Sequence, residues 1–173
     1  MVICPFCKEE NIDGVDECEQ CQQPLGFLSK PRASSKVEHS LIKDQVYMLG
    51  PRKPLAVDLA TAVGSVLELM VTRAIGCVVV TEADQMVGIF TERDALLRLN
   101  IDAGKLASRP VREFMTKAPD TVTSDAPIAF VLHKMDIGGY RHMPVMDAGK
   151  VVGIVSVRDI LRYITEDLMS LSG

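Results

Sequence analysis

A twelve-residue phrase occurs twice in this 173-residue chain, and its return constrains the fold more than any other feature. GIFTERDALLRL at positions 88–99 comes back 65 residues later as GIVSVRDILRYI at 153–164. Each copy reads as a β-strand that ends in Gly-x-x-Thr/Ser-x-Arg-Asp and runs straight into an amphipathic helix, so one supersecondary unit is present twice. Neither half, at roughly 50 to 60 residues, buries a sufficient core alone. The two are therefore expected to pack sheet to sheet about a pseudo-two-fold axis, and duplicated halves imply duplicated clefts.

Apolar periodicity places the rest of each unit. In the first half a short strand at 55–57 leads to a helix at 62–73, apolar runs at 77–81 and 86–90 flank the turn EADQ, and a helix follows at 92–100. The second half repeats this order with a strand at 121–123, a helix at 128–135, strands at 142–146 and 151–155 about the turn DAGK, and a closing helix at 157–168. Both halves read β-α-β-β-α, which makes the fold class α/β (α+β). The expected division is a cysteine-rich unit at 1–25, a flexible tether at 26–49, and repeats at 50–108 and 109–173. The tether's polar, Ser-rich stretch GFLSKPRASSKVEHS lacks apolar periodicity. Its end, LIKDQVYML, is weakly amphipathic and reads as a short helix or strand against the main domain.

Charge is segregated. Residues 1–25 carry one Lys against six acids, a net charge of −5, whereas residues 26–50 carry +2 and the remainder −1. Binding to a nucleic-acid backbone is driven by Lys and Arg, so the acidic N-terminal unit is a poor candidate for it and nucleic acid is an unlikely partner. The basic residues Lys30, Arg32 and Lys36 of the tether keep open a weaker alternative, a transcription-related regulator. No run approaches the roughly 18 apolar residues of a membrane span, and MVICPFCKEE lacks the features of a signal peptide. The expectation is a soluble cytoplasmic protein.

Cys4, Cys7, Cys18 and Cys21 form two Cys-x-x-Cys pairs, while Cys77 lies alone in the apolar run IGCVVV and reads as a small core residue. Two such knuckles supply the four thiolates of a tetrahedral metal site, and a reducing cytosol favours that over disulfides. Four thiolates leave no open position for catalysis, so the metal is expected to be structural Zn2+. With only Val2, Ile3, Phe6, Ile12, Val15 and Leu25 as apolar material, the unit depends on metal to fold. It resembles the short zinc ribbons fused to many microbial proteins, which implies a tag for an unidentified protein partner. Cys4-Pro5-Phe6-Cys7 also resembles a rubredoxin knuckle; the second pair lacks the matching proline and glycine. An iron electron-transfer protein is the corresponding alternative.

The repeated junction has two readings. Thr91 with Asp94 and Ser156 with Asp159 match the capping box, a hydroxyl at the N-cap and a carboxylate three residues on. Arg93 and Arg158 sit at the same interior position of each; a cap needs no arginine, but a phosphate at a helix N-terminus benefits from one. With the phrases VREFMTKAPDTVTSDAPI and YRHMPVMDAGKVVGIVSVRDIL, about 120 residues resemble a tandem pair of cystathionine beta-synthase (CBS) domains, the Bateman module. That resemblance implies a homodimeric regulatory module binding AMP, ADP, ATP or a related adenosyl ligand. It implies phosphate contacts by Thr91 and Ser156, ribose contacts by Asp94 and Asp159, and phosphate support from Arg93 and Arg158. It adds cleft-lining strand residues: Tyr140, Arg141, His142 and Met143 in one half, and Ile75, Gly76 and Cys77 in the other.

The second of these strands is polar and the first is not, so unequal sites are expected, the tighter one carrying Ser156, Arg158, Asp159, Arg141 and His142. His142 itself suits either a backbone carbonyl or a phosphate. No Ser-His-Asp or Cys-His arrangement and no Gly-rich phosphate loop is visible, so the chain is not expected to be an enzyme. Zinc and iron are separated by colour: purified protein is expected to be colourless and to carry zinc on metal analysis, and an iron charge-transfer spectrum would reverse the assignment.

Overall fold

The computed structural model describes residues 1–12, 15–25 and 35–170, with side chains as far as Glu166. The N-terminal unit contributes a small antiparallel pair, β1 (Val2–Ile3) and β2 (Glu10–Asn11). Residues 26–34 of the expected tether lie outside the described residues. In its remainder α1 (Lys36–Lys43) starts from Ser35, whose hydroxyl accepts the Glu38 amide at 3.1 Å, and a 3-10 turn follows at Val46–Leu49. The serine that reads as linker composition is the N-cap of a helix.

The first repeat consists of β3 (Ala56–Asp58), α2 (Val63–Thr72), β4 (Cys77–Glu82) and β5 (Gln85–Thr91). β3 runs parallel to β4 and β4 antiparallel to β5. The second contains β7 (Val122–Thr123), α5 (Ile128–Gly138), β8 (His142–Asp147), β9 (Lys150–Ser156) and α6 (Val157–Ser170), with the same pairing. The duplication reaches irregular detail. The ladders are bulged between Val80 and Thr81 and again between Val145 and Met146. Both hairpins turn through two left-handed residues, Ala83–Asp84 and Ala148–Gly149, the mirror-image turn that suits strand twist.

The helices after the junctions differ. α6 is regular, but the helix expected over 92–100 is one α-turn, α3 (Glu92–Asp94), continued as a π-helix over Ala95–Leu99 and broken at Asn100, whose φ is 46°. A 3-10 turn (Asn100–Asp102), α4 (Ala103–Leu106) and a second 3-10 turn (Val111–Glu113) then lead to β6 (Thr116–Lys117).

β6 shows how the halves interlock. It precedes the second repeat yet pairs with β5 of the first, Gly88 opposite Lys117 and Ile89 opposite Thr116. Reciprocally, Arg52, ahead of the first repeat, bridges Ile154 in β9 of the second. The glycine of the repeated phrase is where the borrowed segment crosses. A Cβ on Gly88 would lie 2.8 Å from the Thr116 carbonyl oxygen, and one on Gly153 would lie 2.5 Å from Pro51 Cβ.

The cores are exchanged in the same way. Val111, Phe114 and Met115, placed by sequence in the second repeat, pack with Val63, Val66, Val78 and Phe90 of the first. Val46 and Leu49, placed in the tether, pack with Phe130, Val145 and Ile160 of the second. The backbone repeats the exchange: the Val111 amide donates to the Thr61 carbonyl at 2.8 Å and the Val46 amide to the Ala126 carbonyl at 2.9 Å.

Val46→Ala is therefore expected to destabilise the second repeat although it precedes the first, by about 2 kcal/mol for removal of buried methyl groups. Urea unfolding measures the loss, and hydrogen exchange is expected to show it first in α5 and β8.

Candidate functional site

Each junction is organised by a buried carboxylate. Asp94 Oδ2 accepts the Thr91 amide at 2.9 Å and its hydroxyl at 2.6 Å, while Thr91 Oγ1 accepts the Asp94 amide at 3.2 Å, completing a capping box. Asp94 Oδ1 takes the Thr116 hydroxyl at 2.9 Å and lies 3.4 Å from the Arg98 guanidinium. In the second copy Asp159 Oδ2 takes the Ser156 amide at 2.8 Å and hydroxyl at 2.6 Å, and Oδ1 faces Arg162 at 3.1 Å and Arg52 at 3.9 Å. The carboxylates are about 7% and 6% exposed, and the protein's own donors engage both oxygens of each.

A cavity of about 950 Å³ opens between the repeats. Leu67, Met70, Val71, Ile75 and Ile89 line it on the apolar side; Thr91, Arg93, Asp94, Tyr140, Arg141, His142 and Arg158 are among its polar walls. Sequence reasoning groups Arg141, His142 and Arg158 with Ser156 and Asp159. In the structure these three share the cavity with the first junction, because the repeats pack so that β8 of one faces the helix start of the other. Ser156 and Asp159 do not line it; Asp159 folds back onto Ser156 and is closed off by Arg52 and Arg162. Met143 is not in the cavity either: it is fully buried in the second core, since successive strand residues point to opposite faces. Gly76 abuts the cavity wall, where an added Cβ would lie 2.7 Å from His142 Nε2. Cys77 is buried, which together with the nearby Glu92 carboxylate pushes its thiol up to about 12.

Arg93 spans the repeats. Its Nη1 donates to the Gly139 carbonyl at 2.8 Å, at the C-terminus of α5, where a cation also suits the helix dipole. Arg141 and Arg158 are exposed. His142 is held below its ordinary pKa, first by burial and then by Arg158 and Arg141, against the opposing pull of Glu92 and Asp159. The cavity thus has an apolar end, a cationic wall and three acids, Glu92, Asp94 and Asp120. Asp120 carries no motif; its only sequence signal is that it falls where the first repeat has Leu55, 65 residues earlier.

At the N-terminus the four cysteine sulfurs lie within 4.8 Å of one another, with Cys4–Cys21 and Cys7–Cys18 each at 3.5 Å and no disulfide. Thiolates about 2.3 Å from a common ion would be spaced roughly 3.8 Å apart, so the donor set fits a tetrahedral metal. The knuckles match each other: the Lys8 amide donates to the Cys4 carbonyl and the Gln22 amide to the Cys18 carbonyl, and both Lys8 and Gln22 are left-handed. Asn11, missed by sequence, is buried between them. It donates to the Glu9 carbonyl at 2.9 Å, points Nδ2 at Cys18 Sγ at 3.5 Å and accepts the Glu19 amide at 3.0 Å.

Two interlocked β-α-β-β-α repeats around a shared cavity define a tandem-repeat architecture. The CBS-domain family model matches residues 47–100 and 111–166, and the chain belongs to that family. A CBS domain-containing protein of Arabidopsis thaliana, CBSCBSPB1, is 29% identical over 141 residues, 81% of this chain and 24% of that protein. The chain thus spans about a quarter of that relative's length, and about half, 53%, of a 17.7 kDa protein from Acidianus ambivalens. Among solved structures, a CBS-domain protein of Agrobacterium tumefaciens superposes with a TM-score of 0.65 at 27% identity, covering 69% of this chain and 98% of that one. The CBS domain pair of protein MJ0100, in complex with 5′-methylthioadenosine and S-adenosyl-L-methionine, shares the fold with a TM-score of 0.63 at 23% identity, covering 72% and 98%. Among the described residues no helix is long and apolar enough to cross a membrane.

The lowered pKa of His142 makes stability pH-dependent. The unfolded chain takes up the proton near pH 6.5 and the folded one only at lower pH. Stability is therefore expected to be undiminished above about 6.5 and to fall as pH drops from there toward the folded pKa. Comparing urea midpoints of wild type and His142→Gln at pH 7.5, 6.5 and 5.5 checks it, the variant losing less stability on acidification.

Proposed function

We propose that this chain is a non-catalytic sensor that binds an adenine nucleotide (AMP, ADP, ATP) or a related adenosyl ligand in the cavity between its CBS repeats. The observation that carries the reading is the cavity's division into an apolar end at Leu67, Met70 and Ile75 and a cationic wall at Arg93, Arg141 and Arg158. An adenine has the first character and a phosphate the second, and the volume is in the range of small-molecule sites. The adenosyl ligands of the MJ0100 domain pair support the same ligand class. In this reading the ligand orders both repeats, since it contacts Thr91 and Arg93 of one and Tyr140, Arg141 and Arg158 of the other. Asp94 offers a ribose only the accepting capacity its cap leaves. Signalling requires that the ligand favour one of two states of the module.

Cys4, Cys7, Cys18 and Cys21 would hold structural zinc and present the N-terminal unit to a protein partner, in the cytoplasm. A homodimer through the repeats is supported by the exposed apolar side chains Val71, Leu96, Leu97 and Ile101.

Calorimetry with AMP, ADP, ATP, NADH and S-adenosylmethionine tests the proposal. One dominant site is expected, and Arg141→Ala with Arg158→Ala is expected to weaken a phosphorylated ligand about tenfold or more, each charge-assisted hydrogen bond contributing about 1.5–3 kcal/mol. Binding insensitive to that pair, or no binding across the panel, would refute the proposed site.

A further inference from the structure

Lys134 on α5 is 5% exposed, an unusual place for an ammonium. Its Nζ lies 2.8 Å from Asp120 Oδ1 and 3.2 Å from the Thr121 carbonyl, and it stands over two rings, Phe130 at 5.6 Å and Phe6 at 5.1 Å. Phe6 belongs to the first cysteine knuckle, one residue before Cys7. Its neighbours fasten the same knuckle to the second repeat: the Thr123 hydroxyl donates to the Pro5 carbonyl at 3.3 Å and Lys8 pairs with Asp125 at 2.5 Å. On the far side of Lys134, Asp120 lines the cavity and receives the Tyr140 hydroxyl. Burial alone would raise the Asp120 carboxyl; hydrogen bonds from Lys134 and Tyr140 outweigh it and hold the group ionised below its usual range. An unbroken series of contacts thus runs from the metal-ligating knuckle through Phe6, Lys134 and Asp120 to the cavity.

We infer that the cysteine unit is part of the ligand site: its metal-shaped first knuckle holds Lys134 against Asp120, so that Phe6 and Lys134 are positioning residues for the cavity wall and metal occupancy is coupled to ligand choice. The coupling to ligand rests on the nucleotide-binding reading above; the positioning role does not. Its sign follows from charge. With Phe6 in place, water is kept from Lys134 and the pair is strong, so the Asp120 charge is neutralised in the cavity wall it shares with Arg141 and His142. When the knuckle detaches, Lys134 is hydrated, the pair weakens and Asp120 presents a freer negative charge. A phosphorylated ligand then binds less tightly and a cationic one, such as a sulfonium, more tightly. By linkage a phosphorylated ligand tightens metal binding by the same factor.

The test uses the full-length, zinc-loaded protein, with ATP and S-adenosylmethionine as probes. Phe6→Ala with unchanged zinc content, and separately chelation of wild type, are expected to weaken ATP by about fivefold or more, the lower end of typical couplings between sites, without weakening S-adenosylmethionine. In an Asp120→Asn background, Phe6→Ala is expected to have no further effect on ATP. Hydrogen exchange gives a readout independent of ligand: residues 119–123 and 139–142 are expected to gain exchange in Phe6→Ala and on chelation, while 77–91 do not. Should Phe6→Ala release zinc, Lys134→Met in the loaded protein carries the same measurements. Unchanged exchange at 119–123 in these variants overturns the positioning role. Increased exchange in a protein that binds neither probe supports it and refutes the nucleotide reading instead. Increased exchange with unaltered ATP affinity overturns the coupling.

Discussion

The carboxylate at the start of each junction helix is the interaction on which the rest of the structure depends. Asp94 closes the cap on Thr91 with one oxygen, and with the other it engages Thr116 and Arg98. Thr116 lies in β6, the segment leading to the second repeat, and Arg98 donates to the Phe114 and Met115 carbonyls just before it. A single buried group therefore fixes the strand end, the helix start and the entry into the other half. Asp159 does the same through Ser156, Arg162 and Arg52, and Arg52 leads into the first half. Leaving such a group without its partners costs far more than any one hydrogen bond contributes, which holds the junction to one geometry.

From that arrangement comes the interlock. Each sheet is edged, and each core completed, by residues that precede the opposite repeat, so neither half has all its own parts. The cavity is a product of the exchange, since its two walls come from different repeats held at a set distance. Duplication makes the backbone nearly two-fold, but divergence makes the chemistry one-sided. Asp120, Tyr140, Arg141 and His142 stand where the first repeat has Leu55, Ile75, Gly76 and Cys77. Polar side chains are concentrated in the cavity beside Thr91 and Arg93, and the equivalent region near Ser156 is bordered by Arg52.

The cysteine unit has little apolar substance: Cys4, Cys18 and Leu25 form its buried centre, while Ile3 and Ile12 are 57% and 66% exposed. A metal can supply what burial does not. The unit nevertheless has a defined seat on the second repeat, through Pro5, Phe6 and Lys8, and Phe6 stands against Lys134, whose partner Asp120 is in the cavity wall.

By itself the sequence determined what depends on short separations. The strands and helices of both repeats lie close to the positions read from periodicity, the Thr91 cap spans three residues, the cysteine spacing sets two matching knuckles, and Cys77 is in the core as its apolar run implies. These interactions form between neighbours along the chain, so spacing and residue type describe them. Only the tertiary structure decided which junction faces which strand, that Val46 and Val111 pack in the opposite halves, that Met143 turns inward, and that Lys134 is buried against Asp120. The echo of Val46–Leu49 and Pro54 in Val111–Phe114 and Pro119 is a signal that could have revealed the exchange. The remainder rests on partners 46 residues apart, as for Arg93 and Gly139, or 117, as for Lys8 and Asp125. Nothing local sets such contacts: they exist only once two sheets have packed and chosen which side chains to bury between them.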